Sequence, residues 1–138
     1  MYAAIRIKGR VHRRKEIEDT LAMLRLHRKM HCVVLKEEPS VKGMLQKVKD
    51  MITWGEIDDE TLSRMIIKRG RKGQKRLSKE ESEKALADIK EGKKPEIKPI
   101  FRLTPPSKGF RKSIKQHYPN GELGYRGEKI NDLLKRMI

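Results

Sequence analysis

The apolar residues of the first 57 positions repeat at two periods in turn, and that alternation constrains the fold more than any other feature. Over residues 2–8, Ala3, Ile5 and Ile7 fall on one side and Arg6 and Lys8 on the other, the two-residue period of a strand that Gly9 ends. Ile17, Leu21 and Leu24 then recur at i, i+4 and i+7, so they share one helical face. Arg25, Arg28 and Lys29 lie toward the end of that helix, where cations suit the macrodipole. Residues 31–36 read as a second strand, with Val33, Val34 and Leu35 at its centre. Pro39 cannot continue it, and Ser40 is placed to cap a helix striped by Val41, Met44, Leu45 and Val48. A third strand over 52–57 completes the order β-α-β-α-β. Two helices can bury one face of three such strands and leave the other free, which makes the fold class α+β.

Beyond Asp58 the pattern changes. Asp58, Asp59 and Glu60 open a helix carrying Leu62, Met65 and Ile66. Residues 69–76 (RGRKGQKR) contain no apolar side chain. Ser78 and Glu81 form a capping box for a polar helix to about residue 91, which Gly92, Lys93, Lys94 and Pro95 break. Residues 100–103 read as a short strand, 107–127 as an irregular basic loop, and 128–137 as a helix with Ile130, Leu133, Leu134 and Met137 on one face. Leu77, Leu86, Ile89 and Ile97 are too few to enclose a core within 70–99, so that stretch is expected to be partly disordered or ordered by a partner. The division is therefore a core over 1–57 and a helix-rich basic extension over 58–138.

The net charge is +16, and charged residues outnumber hydrophobic ones, 39% against 36%. Most of the excess sits in two blocks. Residues 61–76 hold seven basic side chains and no acid, and 92–121 hold eight against one. A compact chain with that excess repels itself, so a polyanionic partner is the simplest reason to keep it. No long apolar run or basic start followed by an apolar stretch points to a membrane or a signal peptide. Cys32 is the only cysteine and cannot form an internal disulfide, which agrees with a reducing setting.

Candidate phosphate-binding residues follow the blocks. Just after Lys8, the loop Arg10, His12, Arg13, Arg14, Lys15 enters the first helix. Four cations there oppose the macrodipole, and a nearby anion would offset the cost. Arg28, Lys29 and His31 read equally as complement to the helix end or as contacts. Lys42 and Lys47 lie on the second helix with Gly43, whose cost of about 0.5–1 kcal/mol relative to Ala implies close approach of a phosphate or a neighbouring element. Arg69, Arg71, Lys72, Lys75 and Arg76 form a glycine-loosened stretch that can follow an RNA surface, or in the free chain a solvated linker. Lys108, Arg111, Lys112, Lys115, His117 and Arg126 interleave with Phe110, Tyr118 and Tyr125, which can stack on bases or cover the core. Trp54, at a strand end, reads as packing.

Catalytic signatures are missing. His27, His31 and Cys32 lack a further ligand at metal spacing, and Gly70 and Gly73 do not make a phosphate loop. The acidic pairs 37–38 and 58–59 are adjacent, which suits caps better than paired-carboxylate chemistry. A ribonuclease using His12 and His117, a DNA-compacting protein and a free RNA chaperone or regulatory RNA binder remain as other readings of the charge.

Several separate pieces then occur in one order: AIRIKG at 4–9, DTLAMLRL at 19–26, residues 28–34, PSVKGMLQKVK at 39–49, ITWGE at 52–56, FRLTPP at 101–106, NGELGYRG at 120–127 and KINDLLKRM at 129–137. In these the chain resembles the L-thirty family of large-subunit ribosomal proteins, in the longer archaeal and eukaryotic form whose eukaryotic member is called L-seven. It departs after Pro106, where Ser107, Lys108, Gly109 and Phe110 stand in place of a basic residue and a Gly-Gly pair. The resemblance implies a ferredoxin-like core and a structural role in the cytoplasmic large ribosomal subunit, without catalytic activity, cofactor, small-molecule substrate or membrane. Its implied partners are large-subunit rRNA, 5S rRNA and neighbouring ribosomal proteins.

Overall fold

The computed structural model describes residues 1–9, 14–94 and 97–138. The first 57 residues form β1 (Tyr2–Arg6), α1 (Lys15–Met23), β2 (His31–Leu35), α2 (Pro39–Lys47) and β3 (Ile52–Glu56), in the expected order. β1 is central, antiparallel to β2 on one side and to β3 on the other.

The second helix starts two residues earlier than its capping signal indicated. Glu38 occupies the cap and Pro39 the first turn, so Ser40 is already helical. Proline suits that position because its fixed φ is helical and its missing N–H would find no partner there anyway. The first helix ends in a left-handed turn: Arg25 has φ +64°, its N–H donates to Ala22, and the Leu26 N–H reaches back to Leu21. That Schellman pairing satisfies the last carbonyls and turns Leu26 into the core.

The remaining chain completes the same sheet. β6 (Ile100–Arg102) adds to β2, and β8 (Gly121–Tyr125) runs parallel to β3 with β7 (Ser113–His117) outside it, giving the order β6-β2-β1-β3-β8-β7. The register of β7 on β8 is irregular. The long loop expected over 107–127 thus contains two strands. α3 (Asp59–Arg69), α4 (Lys79–Lys90) and α5 (Ile130–Met137), the last preceded by a 3₁₀ turn over Gly127–Lys129, cover the second face.

Both sheet faces are therefore buried, which corrects the expectation of a free one. Tyr2, Ala4, Val33, Ile52 and Trp54 pack against Leu21, Leu45 and Val48 under α1 and α2. Ala3, Ile5, Cys32 and Phe101 pack against Met65, Ile66, Leu133 and Leu134 under α3 and α5. Arg6, expected to point outward with Lys8, is fully buried among carbonyls and Glu18 instead. Burial in the same core pushes the Cys32 thiol pKa upward.

The described residues of the stretch 70–99 are ordered on the protein itself. β4 (Arg71–Lys72) and β5 (Lys75–Arg76) form a hairpin whose turn has Gly73 at φ +64°. Ser78 and Glu81 close the expected capping box at the start of α4. Ala85, Leu86 and Ile89 then reach the second core, which supplies the apolar surface that the segment lacks alone.

Candidate nucleic-acid interface

Strand direction decides which cations meet. The register sets Arg6 opposite Ile52, Ile5 opposite Cys32, His31 opposite Arg102, and Thr53 opposite Gly124. The last residues of β1 and β6 and the first of β2, β3 and β8 therefore share one end of the sheet. The C-terminal end of α2, carrying Lys47, feeds into that end, and Arg69 at the end of α3 lines a cleft with Arg102 there. Lys8, Arg28, Lys29 and His31 lie in the adjoining loops and strand start. Lys29 lies over Gly9: a Cβ on that glycine would sit 3.0 Å from the lysine Cε.

The opposite end gathers acids: Glu37 and Glu38 after β2, Glu56, Asp58, Asp59 and Glu60 after β3, and Glu128 after β8. Two lysines at this end are engaged, Lys90 with Asp59 and Lys36 with the Gly92 carbonyl. Along the strands, the cations named above thus lie at one end and these acids at the other.

Arg14 and Lys15 are exposed at the start of α1, where no side chain caps the helix. Glu16 and Glu18 in its first turn already supply some of the favourable sign that the sequence appeared to lack. Arg10, His12 and Arg13, together with the chain break expected at Pro95, lie outside the described residues. Lys42 is exposed farther back on α2.

Beside Lys42, a Cβ on Gly43 would meet nothing within 4 Å, so no neighbouring element of the fold needs that glycine. Gly43→Ala is expected to raise the stability of the free protein by about 0.5–1 kcal/mol. A urea titration should move its midpoint at unchanged slope. A loss of stability would mean that the helix there is held by something other than propensity.

The hairpin carries Arg71, Lys72, Lys75 and Arg76, all exposed. Between it and β6 lies a cleft of about 220 Å3 lined by Arg69, Arg71, Gly73, Lys98 and Arg102. Lys98 and Arg102 were not singled out from the sequence. Their signal was weak: they stand in a stretch whose basic residues are far apart, and only the β2–β6 register brings Arg102 to His31.

His31 is half-buried, and its Nδ1 is buried without a partner among the described residues. Burial lowers its pKa, and Arg102, Arg28, His27 and Arg6 push it the same way. The unfolded chain then takes up a proton before the folded one does. Stability contributed by neutral His31 is present above about pH 6.5 and is lost as the pH falls below that value. An NMR titration of the ring should give a midpoint below 6.5, and His31→Gln should flatten the acid side of the stability profile. A midpoint at or above 6.5 would show that the surrounding cations are not felt.

The second basic block divides into exposed and committed groups. Lys108, Arg111 and Lys115 are exposed. The Lys112 ammonium donates to the Pro119 carbonyl and lies 5.0 Å from the Tyr118 ring centre. Arg126 is buried, donating to Thr53 Oγ1 and Glu122 Oε2 at 2.8 Å each and to the Glu122 carbonyl. Arg126 thus stands inside the protein, against the expectation that it faces a ligand, because Glu122 compensates its charge and Thr53 accepts one of its hydrogen bonds there. His117 bonds Asp50 at 2.8 Å. Phe110 leans on the core, and Trp54 is buried as its packing role required. Tyr125 is exposed and hydrogen-bonded to Glu56, which pushes its pKa up to about 12.

Residues 2–52 match the family model described as Ribosomal protein L30p/L7e. Over its whole length the chain is 49% identical to the large ribosomal subunit protein uL30 of Nanoarchaeum equitans, covering 99% of that protein. It is 47% identical to the protein of the same name from Methanosphaera stadtmanae, with both chains fully covered. The Archaeoglobus fulgidus protein of that name is 46% identical, with 99% of each chain covered.

Proposed function

Because the chain belongs to the ribosomal protein L30p/L7e family, we propose that this structural constituent of the large ribosomal subunit holds rRNA with the basic end of its sheet. The observation that carries this reading is the charge separation along the strands. Lys8, Arg28, Lys29, His31, Lys47, Arg69 and Arg71 converge at one end, while Glu37, Glu38, Glu56, Asp58, Asp59, Glu60 and Glu128 lie at the other. Phosphates would be neutralised by loops and by the hairpin, and the two buried sheet faces would keep those loops in register. Arg14, Lys15, Lys108, Arg111 and Lys115 extend the same surface in this reading, and Arg10, His12 and Arg13, outside the described residues, join the RNA contacts on their sequence alone. The core over 1–57 carries one part of it and the extension over 58–138 the other. The family resemblance adds 5S rRNA and neighbouring ribosomal proteins as partners.

Tagged protein run on a sucrose gradient tests this. It should sediment with the large subunit at low salt and be released as salt rises, because phosphate contacts are exchanged for counterions. Crosslinking should then return large-subunit rRNA, with 5S rRNA among the products if the finer placement holds. Protein that stays at the top of the gradient with free RNA would favour the chaperone reading instead.

A further inference from the structure

The cleft between the hairpin and β6 holds cationic charge that the fold does not use. Arg69 ends α3, and Arg71 opens β4. Lys98 and Arg102 line the same cleft from the other side. The walls are joined through the backbone, the Lys98 N–H donating to the Arg71 carbonyl at 2.8 Å. Among the described residues, none of the four side chains has a carboxylate partner or a hydrogen bond. All six hairpin residues from 71 to 76 are exposed, so packing does not account for their position.

A second cleft allows comparison. It is lined by Arg111, Lys112, Arg126 and Arg136, but most of its charge is consumed within the chain. Arg126 is held by Glu122, and Arg136 donates to the carbonyls of Ser107 and Gly109. Of these two clefts among the described residues, the hairpin cleft is the one that combines several uncommitted donors with an open wall. A Cβ on Gly73 would meet nothing within 4 Å, so that wall can be approached closely. Like charges around about 220 Å3 repel one another until an anion enters. The volume is below that of a typical small-molecule pocket, roughly 300–1,000 Å3, and suits one tetrahedral anion. Guanidinium and ammonium donors bind phosphate oxygens through charge-assisted bonds.

We propose that this cleft seats a single backbone phosphate of RNA, gripped by Lys98 and Arg102 from the β6 side and by Arg69 and Arg71 from the hairpin side. The proposal rests on the rRNA-binding reading above and adds to it a defined seat. Occupation would tie the hairpin to the sheet edge and bring the RNA strand past His31, which pairs with Arg102 across β2 and β6.

The test is the full chain with Lys98→Gln and Arg102→Gln together, against a control with Lys36→Gln and Lys93→Gln at the far end. The probes are refolded, deproteinised archaeal large-subunit RNA and, separately, inorganic phosphate. The cleft pair should bind the RNA at least roughly tenfold more weakly, the loss expected for charge-assisted contacts. Its salt slope should fall by about one, the value for a single phosphate. The control should change roughly threefold or less, as exposed charges do. Equal losses in both pairs, no loss in the cleft pair, or a slope change of two or more would each overturn the single seat. Wild-type amide resonances of residues 71–74 and 98–102 give a readout that needs no variant. They should shift with the RNA. Shifts with inorganic phosphate that the RNA cannot displace would make this a small-anion site and overturn the assignment to RNA. Wild-type protein that fails to bind the RNA at all would instead remove the underlying rRNA reading.

Discussion

Replacing Arg6 by methionine is expected to destabilise the protein by about 3 kcal/mol, although methionine is apolar and the site is wholly buried. The guanidinium makes three bonds from inside the fold. Its Nε donates to the Lys8 carbonyl at 2.8 Å, Nη1 to the Leu26 carbonyl at 2.8 Å, and Nη2 to Glu18 Oε1 at 2.9 Å. Met30 N–H in turn donates to the Arg6 carbonyl, so the residue ties together the end of β1, the start of α1 and the loop into β2. Methionine would leave two carbonyls without donors, and each buried unsatisfied group costs about 1–3 kcal/mol. Glu18 is 28% exposed and can regain water, which keeps its share small. Glu18→Gln tests the other side: it leaves the buried cation without its counter-charge and is expected to cost about as much. Urea midpoints of both single variants and the double variant form the cycle. A loss under about 1 kcal/mol for Arg6→Met would show that the pair contributes no more than an exposed ion pair.

Arg6 also shows where sequence reading stops. Alternation over residues 2–8 located β1 correctly, because alternate side chains do face opposite sides. It could not say that both sides are inside. Arg6 looked like a surface residue because charge is usually the mark of one, and its partner Glu18 is twelve positions away across a loop. The helices α2 to α5 were legible for local reasons, namely spaced apolar stripes and the cap residues Asp58 and Ser78. β7 and β8 were not. Every residue of β7 is exposed, and Gly121 and Gly124 interrupt any alternation in β8. The strand character of β8 comes from pairing with β3, a contact made across more than 60 residues, and that of β7 from pairing with β8. The hairpin at 71–76 had no apolar residue to announce it. The interface was legible as two basic blocks, but block membership did not separate exposed Arg111 from buried Arg126. Nor could it bring Arg102, from one block, to Arg69 in the other.

The same residue type is expected to give opposite results at Gly43 and Gly55. At Gly43 a methyl group enters open space. At Gly55, in the middle of the sheet opposite Ala3, a Cβ would lie 2.0 Å from the Gly127 carbonyl oxygen and 3.0 Å from the Ile130 Cβ. Neither neighbour can retreat easily. Gly127 has φ +57°, a conformation that other residues avoid, and it opens the turn leading into α5. That turn is pinned to β3 by Asn131, whose amide donates to the Glu56 carbonyl at 3.1 Å and accepts from the Asp58 N–H at 3.0 Å. Lifting the turn to admit a methyl group would draw Ile130, Leu133 and Leu134 from the core they fill with Ala3 and Ile5. Gly55→Ala is therefore expected to cost about 3 kcal/mol, at the upper end for overpacking, since backbone rather than a side-chain tip must move. The thermal midpoint should fall by more than about 5 °C, since each kcal/mol shifts it by about 2–4 °C in domains of roughly 150–250 residues and by more in smaller ones. If the midpoint held steady, α5 would have to shift without penalty, and the close seating of the C-terminal helix on β3 would not be what holds the second sheet face.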